Sequence, residues 1–256
     1  MSIEGITTGH EKKFDWPNFK GTPLPYILAS VPRTGSTYVS HLLWQTGCLG
    51  APLEYLNFQP SGPQGALSRS PEAQHELWRR TIARRTSSNG VFGVKAFPLQ
   101  LEELRRANPA LLTSVMRFLL NRGPDSKVVQ LRRRDADAHA VSLARASLSG
   151  IWRAEQERQS SGEPHYSEAM VIRAKHEVAV QERAWQQMFR ETGITPIVLN
   201  YEDVVADPKT AVSRVSDYLG VEIHPSRAIT VPAIRRQDQA GAQQWLDRLR
   251  QDNTKS

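Results

Sequence analysis

The segment 26–47, YILASVPRTGSTYVSHLLWQTG, limits what this chain can fold into more than any other stretch of its 256 residues. Its apolar opening, Tyr26 to Ser30, reads as a buried strand, and Thr37 to Thr46, closed by Gly47, reads as a helix. Between them lie Pro32, Arg33, Thr34, Gly35, Ser36 and Thr37. A strand passing to a helix through such residues sets backbone N–H groups, hydroxyls and a guanidinium at a positive helix terminus, which suits a phosphate or sulfate. Gly35 is where the backbone could approach the anion closely. A plain capped turn between strand and helix would use the same residue types, so the rest of the chain has to decide.

Three further runs, 90–97 (GVFGVKAF), 127–132 (KVVQLR) and 195–201 (TPIVLNY), read as strands. Helical patterns separate them: 98–122 with a break near Asn108-Pro109, 135–157 capped by Asp135, 166–191 carrying Val171, Val178, Trp185 and Phe189, and 207–219 from Asp207 to Gly220. This alternation predicts an α/β fold: a P-loop-like three-layer sandwich whose central parallel sheet has about four to five strands, with helices on both faces. Residues 58–72 and 158–166, dense in Pro, Gly, Ser and charge, read as loop excursions, and 1–22 as an N-terminal arm on a single domain 23–256.

Net charge is +7, which favours anionic partners without choosing among them. Nothing approaches the length of a membrane-spanning helix or the apolar core of a signal peptide, which predicts a soluble cytoplasmic protein. Cys48 is the only cysteine, leaving no intramolecular disulfide, and the seven histidines show no ligand spacing, so no metal site is expected. Ser36 lacks a nucleophile elbow. The lysine that follows the glycine of nucleoside-triphosphate loops is missing too, which weakens the reading as an ATP-dependent phosphotransferase. That reading and a non-catalytic nucleotide or polyanion binder stay open, whereas a nucleic-acid interface is not expected, there being no aromatic-basic stacking motif.

A second basic motif lies at 131–142, LRRRDADAHAVS, where a strand end passes into a helix. An arginine at the strand end and a serine two turns into the helix could hold a second phosphate, although a solvated basic turn would look alike.

With both motifs, the chain resembles the sulfotransferases that use 3′-phosphoadenosine 5′-phosphosulfate (PAPS), most closely the bacterial trehalose 2-sulfotransferase type, from about Tyr26 to Arg250. The resemblance implies that Arg33, Thr34, Gly35, Ser36 and Thr37 grip the 5′-phosphosulfate end of PAPS. Arg133 and Ser142 would hold the 3′-phosphate, and the segment 231–250, through Arg236 and Gln237, would close over the nucleotide. Residues 50–57 match an E-P-x-E-[FY] segment of the family, with Glu54 as general base, Tyr55 beside it on the acceptor side and Ala51 in place of the first glutamate. Lys95 would approach the bridging or sulfuryl oxygens. Phe97 stands where the family at large often has a histidine base, so Glu54 has to serve.

Arg145, Trp152 and Arg153 fall in the stretch that resembles the acceptor side. Taken without the resemblance, Glu54 could be a surface carboxylate, Lys95 an ordinary strand-end lysine, and Trp152 a core or interface residue. The implied reaction is in-line transfer of a sulfuryl group to a hydroxyl of a carbohydrate or glycolipid acceptor, a trehalose-like sugar being favoured, by a homodimer without a metal.

Overall fold

A computed structural model describes residues 8–59, 70–153, 156, 163–234 and 240–253. Strands form where the apolar runs are: β1 (Leu24–Ala29), β2 (Val91–Ala96), β3 (Lys127–Arg132) and β4 (Ile197–Asn200). They pair in the order β2-β1-β3-β4, with every pairing parallel. Leu28 lies opposite Lys95 on β2, Ala29 opposite Gln130 on β3, and Leu131 opposite Leu199 on β4.

Alternate residues of a strand face opposite sides, and both sides here are covered. Ile27, Ala29, Phe92, Val94 and Val128 meet one set of helices: α2 (Pro71–Arg85), α3 (Pro98–Ala107), α4 (Pro109–Leu119) and α6 (Glu168–Thr192). Tyr26, Leu28, Val129, Leu131 and Leu199 meet α1 (Ser36–Gln45), α7 (Tyr201–Ala206) and α8 (Pro208–Leu219) on the other. A third cluster joins α5 (Ala136–Ser149) to α6 and to α9 (Ala240–Asn253) through Val141, Leu143, Val171, Trp245 and Leu249. The architecture is the predicted α/β sandwich with helices on both faces of a parallel sheet, its strands four among the described residues.

Three local expectations shift. The helix foreseen to residue 157 ends at Ser149, because Gly150 takes the left-handed conformation (φ 70°) that terminates helices. The stretch read as a loop to residue 72 gives way to α2, started by Ser70, whose hydroxyl accepts the amide of Ala73, and by Pro71 at the first turn. Residues 60–69 and 158–162 of the foreseen excursions lie outside the described residues. Tyr201, foreseen as the end of a strand, opens α7, whose first turn carries Glu202 and Asp203 at the positive helix end.

The N-terminal arm is held by one buried cation. Arg85, at the end of α2 and 4% exposed, donates to the carbonyls of Gly9 (2.8 Å) and Glu11 (3.1 Å) and pairs with Asp15 at 3.0 Å. Trp16 and Phe19 extend the attachment by donating their amides to Arg84 and Ala83.

Candidate active site

β1 has β2 on one side and β3 on the other, so the connections leaving the carboxyl ends of β1 and β3 diverge and open a crevice, the usual binding place in such sheets. The loop after β1 is fixed from behind through its carbonyls. Ser30 accepts from Trp185 Nε1 of α6 (2.8 Å), and Val31 accepts both the amide (3.3 Å) and the hydroxyl (2.8 Å) of Thr34. Pro32 accepts from His139 Nε2 of α5 at 2.8 Å, and because a carbonyl only accepts, Nε2 carries the proton.

Held in this way, the chain turns left-handed at Arg33 (φ 70°) and at Gly35 (φ 87°). A Cβ on Gly35 would lie 2.2 Å from the Tyr201 ring, so glycine is required both by conformation and by space. Arg33 has no such freedom and holds its turn at a strain of roughly 1–2 kcal/mol. No side chain caps the N-terminus of α1, and its first amide groups stay available to an anion.

Residues far apart in sequence meet in this crevice. Arg33 donates through Nε to Ser142 Oγ (3.1 Å) and through Nη1 to the Trp152 carbonyl (2.6 Å). Arg133 donates to the Arg33 carbonyl at 3.4 Å while its guanidinium carbon lies 5.4 Å from the centre of the Tyr201 ring. Thr34, wholly buried, turns its hydroxyl inward to Val31, so its side chain shapes the turn instead of facing the opening.

The carboxylate and the lysine arrive from the other side of β1. Residues 50–53 run along β2, where Lys95 donates its amide to the Leu53 carbonyl (3.0 Å) and Leu53 bridges Val94. The approach is so close that a Cβ on Gly50 would stand 2.8 Å from the Gly93 nitrogen. Glu54 is thereby delivered to Lys95, Oε1 to Nζ at 2.8 Å, and Nζ also donates to Thr37 Oγ1 at 2.9 Å. The second Glu54 oxygen accepts from Asn57 Nδ2 (3.1 Å) and Gln100 Nε2 (3.0 Å).

Burial pushes the Glu54 carboxyl up, yet the charge and hydrogen bond of Lys95, helped by Asn57, prevail and bring it down to about 2. Lys95, 2% exposed, is lowered, burial outweighing the attraction of Glu54. Thr37, at the start of α1, links the ion pair to the anion cradle.

Other foreseen residues take different places. Tyr55 is buried, stacked on Phe92 with its hydroxyl on the Ala51 carbonyl (2.7 Å), and so acts in the core around Glu54. Arg145 pairs with both oxygens of Glu163, at 2.6 and 2.7 Å. Trp152 is 46% exposed beyond the end of α5, and Arg153 lies near enough for its charge to act on Lys95. Arg236 and Gln237 lie outside the described residues.

The structure adds His139, Trp185, Tyr201, Asn57 and Gln100 as groups that fix the site. His139 could have been found in the sequence, since it stands three residues before Ser142 on the same helix face. The others carry no local signal.

A parallel sheet whose switch point holds an uncapped helix terminus, two guanidinium groups and a lysine–glutamate pair defines an α/β protein with positive charge gathered beside a carboxylate at the carboxyl ends of its strands. Residues 25–252 match the family model of the Stf0 sulphotransferases, and the chain belongs to that family. It is therefore a sulfotransferase. Over 258 residues it is 26% identical to the trehalose 2-sulfotransferase of Mycobacterium tuberculosis, covering 88% of this chain and 94% of that protein. The trehalose 2-sulfotransferase of Mycolicibacterium smegmatis is 24% identical over 263 residues, with coverages of 90% and 96%. Among solved structures, the sulfotransferase domain from the Synechococcus PCC 7002 olefin synthase is similar at 16% identity and a TM-score of 0.46, over 92% of this chain and 98% of that one. No helix among the described residues is long and apolar enough to cross a membrane.

Proposed function

We propose that this protein transfers a sulfuryl group from PAPS to a hydroxyl of a carbohydrate or glycolipid acceptor, with a trehalose-like sugar favoured. The observation that carries the reading is the junction at Thr37, where the anion cradle after β1 meets the Lys95–Glu54 pair. The residues fit such a donor: an uncapped helix terminus and Arg33 suit a 5′-phosphosulfate, and Arg133 with Ser142 suits a 3′-phosphate across the same crevice. Arg236 and Gln237 are proposed to close over the nucleotide. The names of the two mycobacterial relatives favour a sugar acceptor.

When bound, PAPS supplies an electrophilic sulfur and a phosphate leaving group. Glu54 accepts the proton of the attacking hydroxyl, while Lys95 and Arg33 place positive charge where the leaving oxygen becomes anionic. Held at about 2 by Lys95, Glu54 is a weak base. An anionic donor competes for the charge of Lys95, and Glu54 becomes more basic as that charge turns away. No metal takes part, and residues 23–256 act as one domain in a homodimer.

The test is a transfer assay with labelled PAPS against a panel of sugars and glycolipids, read by the mass shift of the acceptor. One acceptor gaining a sulfuryl group, with loss of transfer in Glu54→Gln, is expected. Failure of every acceptor, or undiminished transfer by Glu54→Gln, refutes the proposal.

A further inference from the structure

The family match begins at residue 25, yet the arm before it packs against the proposed acceptor side. Glu11 folds its carboxylate back onto the amides of Thr8 (2.7 Å) and Gly9 (2.8 Å), and Arg85 holds the carbonyls on either side of His10. Gly9 sits tightly on Trp44, where a Cβ would meet the indole at 3.0 Å, and Phe14 contacts the same indole edge-on at 5.3 Å. A short turn fastened at this many points sets the direction of the one side chain it does not use for its own anchorage, that of His10.

The His10 ring meets Tyr55, the neighbour of Glu54, edge-on at 5.5 Å. Its Nδ1 is buried without a hydrogen-bond partner in the structure. Three other buried polar atoms nearby share that condition: Asn57 Oδ1, whose amide nitrogen serves Glu54, His41 Nε2, whose ring meets Trp44 at 5.5 Å, and Nε1 of Trp44 itself. His41 Nδ1 lies 2.9 Å from the Pro232 carbonyl and must donate to it, which leaves Nε2 as a bare acceptor. A buried polar atom without a partner is unfavourable, and several near the Glu54–Lys95 pair are what a polyhydroxylated ligand would satisfy.

Burial, reinforced by the charge of Arg85, brings His10 down to about 3, so the ring is neutral and can exchange hydrogen bonds with hydroxyl groups. The charges that face it are those of Arg85 from α2, Glu54 from the loop before α2, Lys95 from β2 and Arg153 beyond α5.

We propose that His10 is a positioning residue for the acceptor: the N-terminal arm forms one wall of the acceptor site, and His10 Nδ1 hydrogen-bonds a sugar hydroxyl next to the one that loses its proton to Glu54. This rests on the sugar-sulfating reading above. It makes acceptor choice a property of a segment that the family match does not include.

The experiment compares wild type, His10→Phe and His10→Asn in the full chain. Phenylalanine keeps the ring contact with Tyr55 and removes the nitrogen, whereas asparagine restores a polar atom at the Nδ1 position. Each is titrated with adenosine 3′,5′-bisphosphate, melted, and assayed with PAPS and the sugar that wild type sulfates. His10→Phe is expected to raise the acceptor KM about tenfold with kcat changed less, His10→Asn to recover most of it, bisphosphate affinity to stay at the wild-type value, and melting of His10→Phe not to fall below it. An equal acceptor KM in wild type and His10→Phe overturns the proposal, as does equal impairment in both variants. If wild type binds the bisphosphate but sulfates no sugar, the functional reading fails first and this proposal with it, so the two failures are distinguishable.

Discussion

A buried lysine and a half-buried glutamate held 2.8 Å apart can be a structural strut or a poised reaction pair, and substitution separates these. Lys95→Met leaves the Glu54 carboxylate in a low-dielectric site with only amide donors, an arrangement that is unfavourable by about 3 kcal/mol. Lys95→Met with Glu54→Gln removes both charges and should recover most of that loss in urea denaturation; a single variant as stable as wild type would show that the pair is solvated. Glu54→Gln alone should lower kcat by about 10²–10⁴-fold while leaving bisphosphate affinity within a factor of about three. The acid limb gives the same distinction. Because Glu54 falls from its ordinary 4.5 to about 2 in the folded protein, its contribution to stability is full above 4.5 and is lost as pH drops toward 2. Subtracting the pH–stability profile of Glu54→Gln from that of wild type should give a difference that declines only in that window.

At the scale of elements, the anion cradle is a left-handed turn between β1 and α1, and its strain is concentrated at Arg33. Glycine adopts that conformation freely, so Arg33→Gly should be more stable than Arg33→Ala by about 1 kcal/mol. Both lose the same guanidinium, so both should bind adenosine 3′,5′-bisphosphate weakly and to the same degree. If the two variants unfold at the same urea concentration, the turn is not strained. This cradle was legible in the sequence because its residues are contiguous, and the strands and most helices followed from apolar period and caps. The α2 helix was not, since its polar face outweighs Trp78 and Thr81 and the loop composition before it masks the Ser70 cap. Equally illegible were Gln100 and Asn57, which touch Glu54 only because residues 50–57 lie along β2, a tertiary fact with no local pattern. Thr34 shows the opposite failure: it matches the motif, yet its hydroxyl is turned into the turn itself.

For the whole molecule, the crevice is where otherwise separate parts meet. Its walls come from the loop after β1, the α5 helix that supplies Ser142, and Tyr201 at the start of α7, while Trp185 of α6 braces the loop from the opposite face of the sheet. The two large apolar clusters lie on opposite faces of one sheet, so a ligand spanning the crevice stabilises both layers together. Adenosine 3′,5′-bisphosphate at 100 times its Kd should therefore add about 2.7 kcal/mol to folding. For a chain of this size that corresponds to a rise in melting temperature of about 5–11 °C. The shift should occur in a single transition, because strands β1 and β3 that carry the binding loops are hydrogen-bonded neighbours at the centre of the sheet. It should shrink with added salt, since a net charge of +7 and two guanidinium groups attract the phosphates through a field that salt screens. Arg133→Ala with Ser142→Ala should abolish most of the shift at the same ligand concentration. Two transitions, only one of them moved by the ligand, would show instead that the layers unfold independently and that the proposed single domain is wrong.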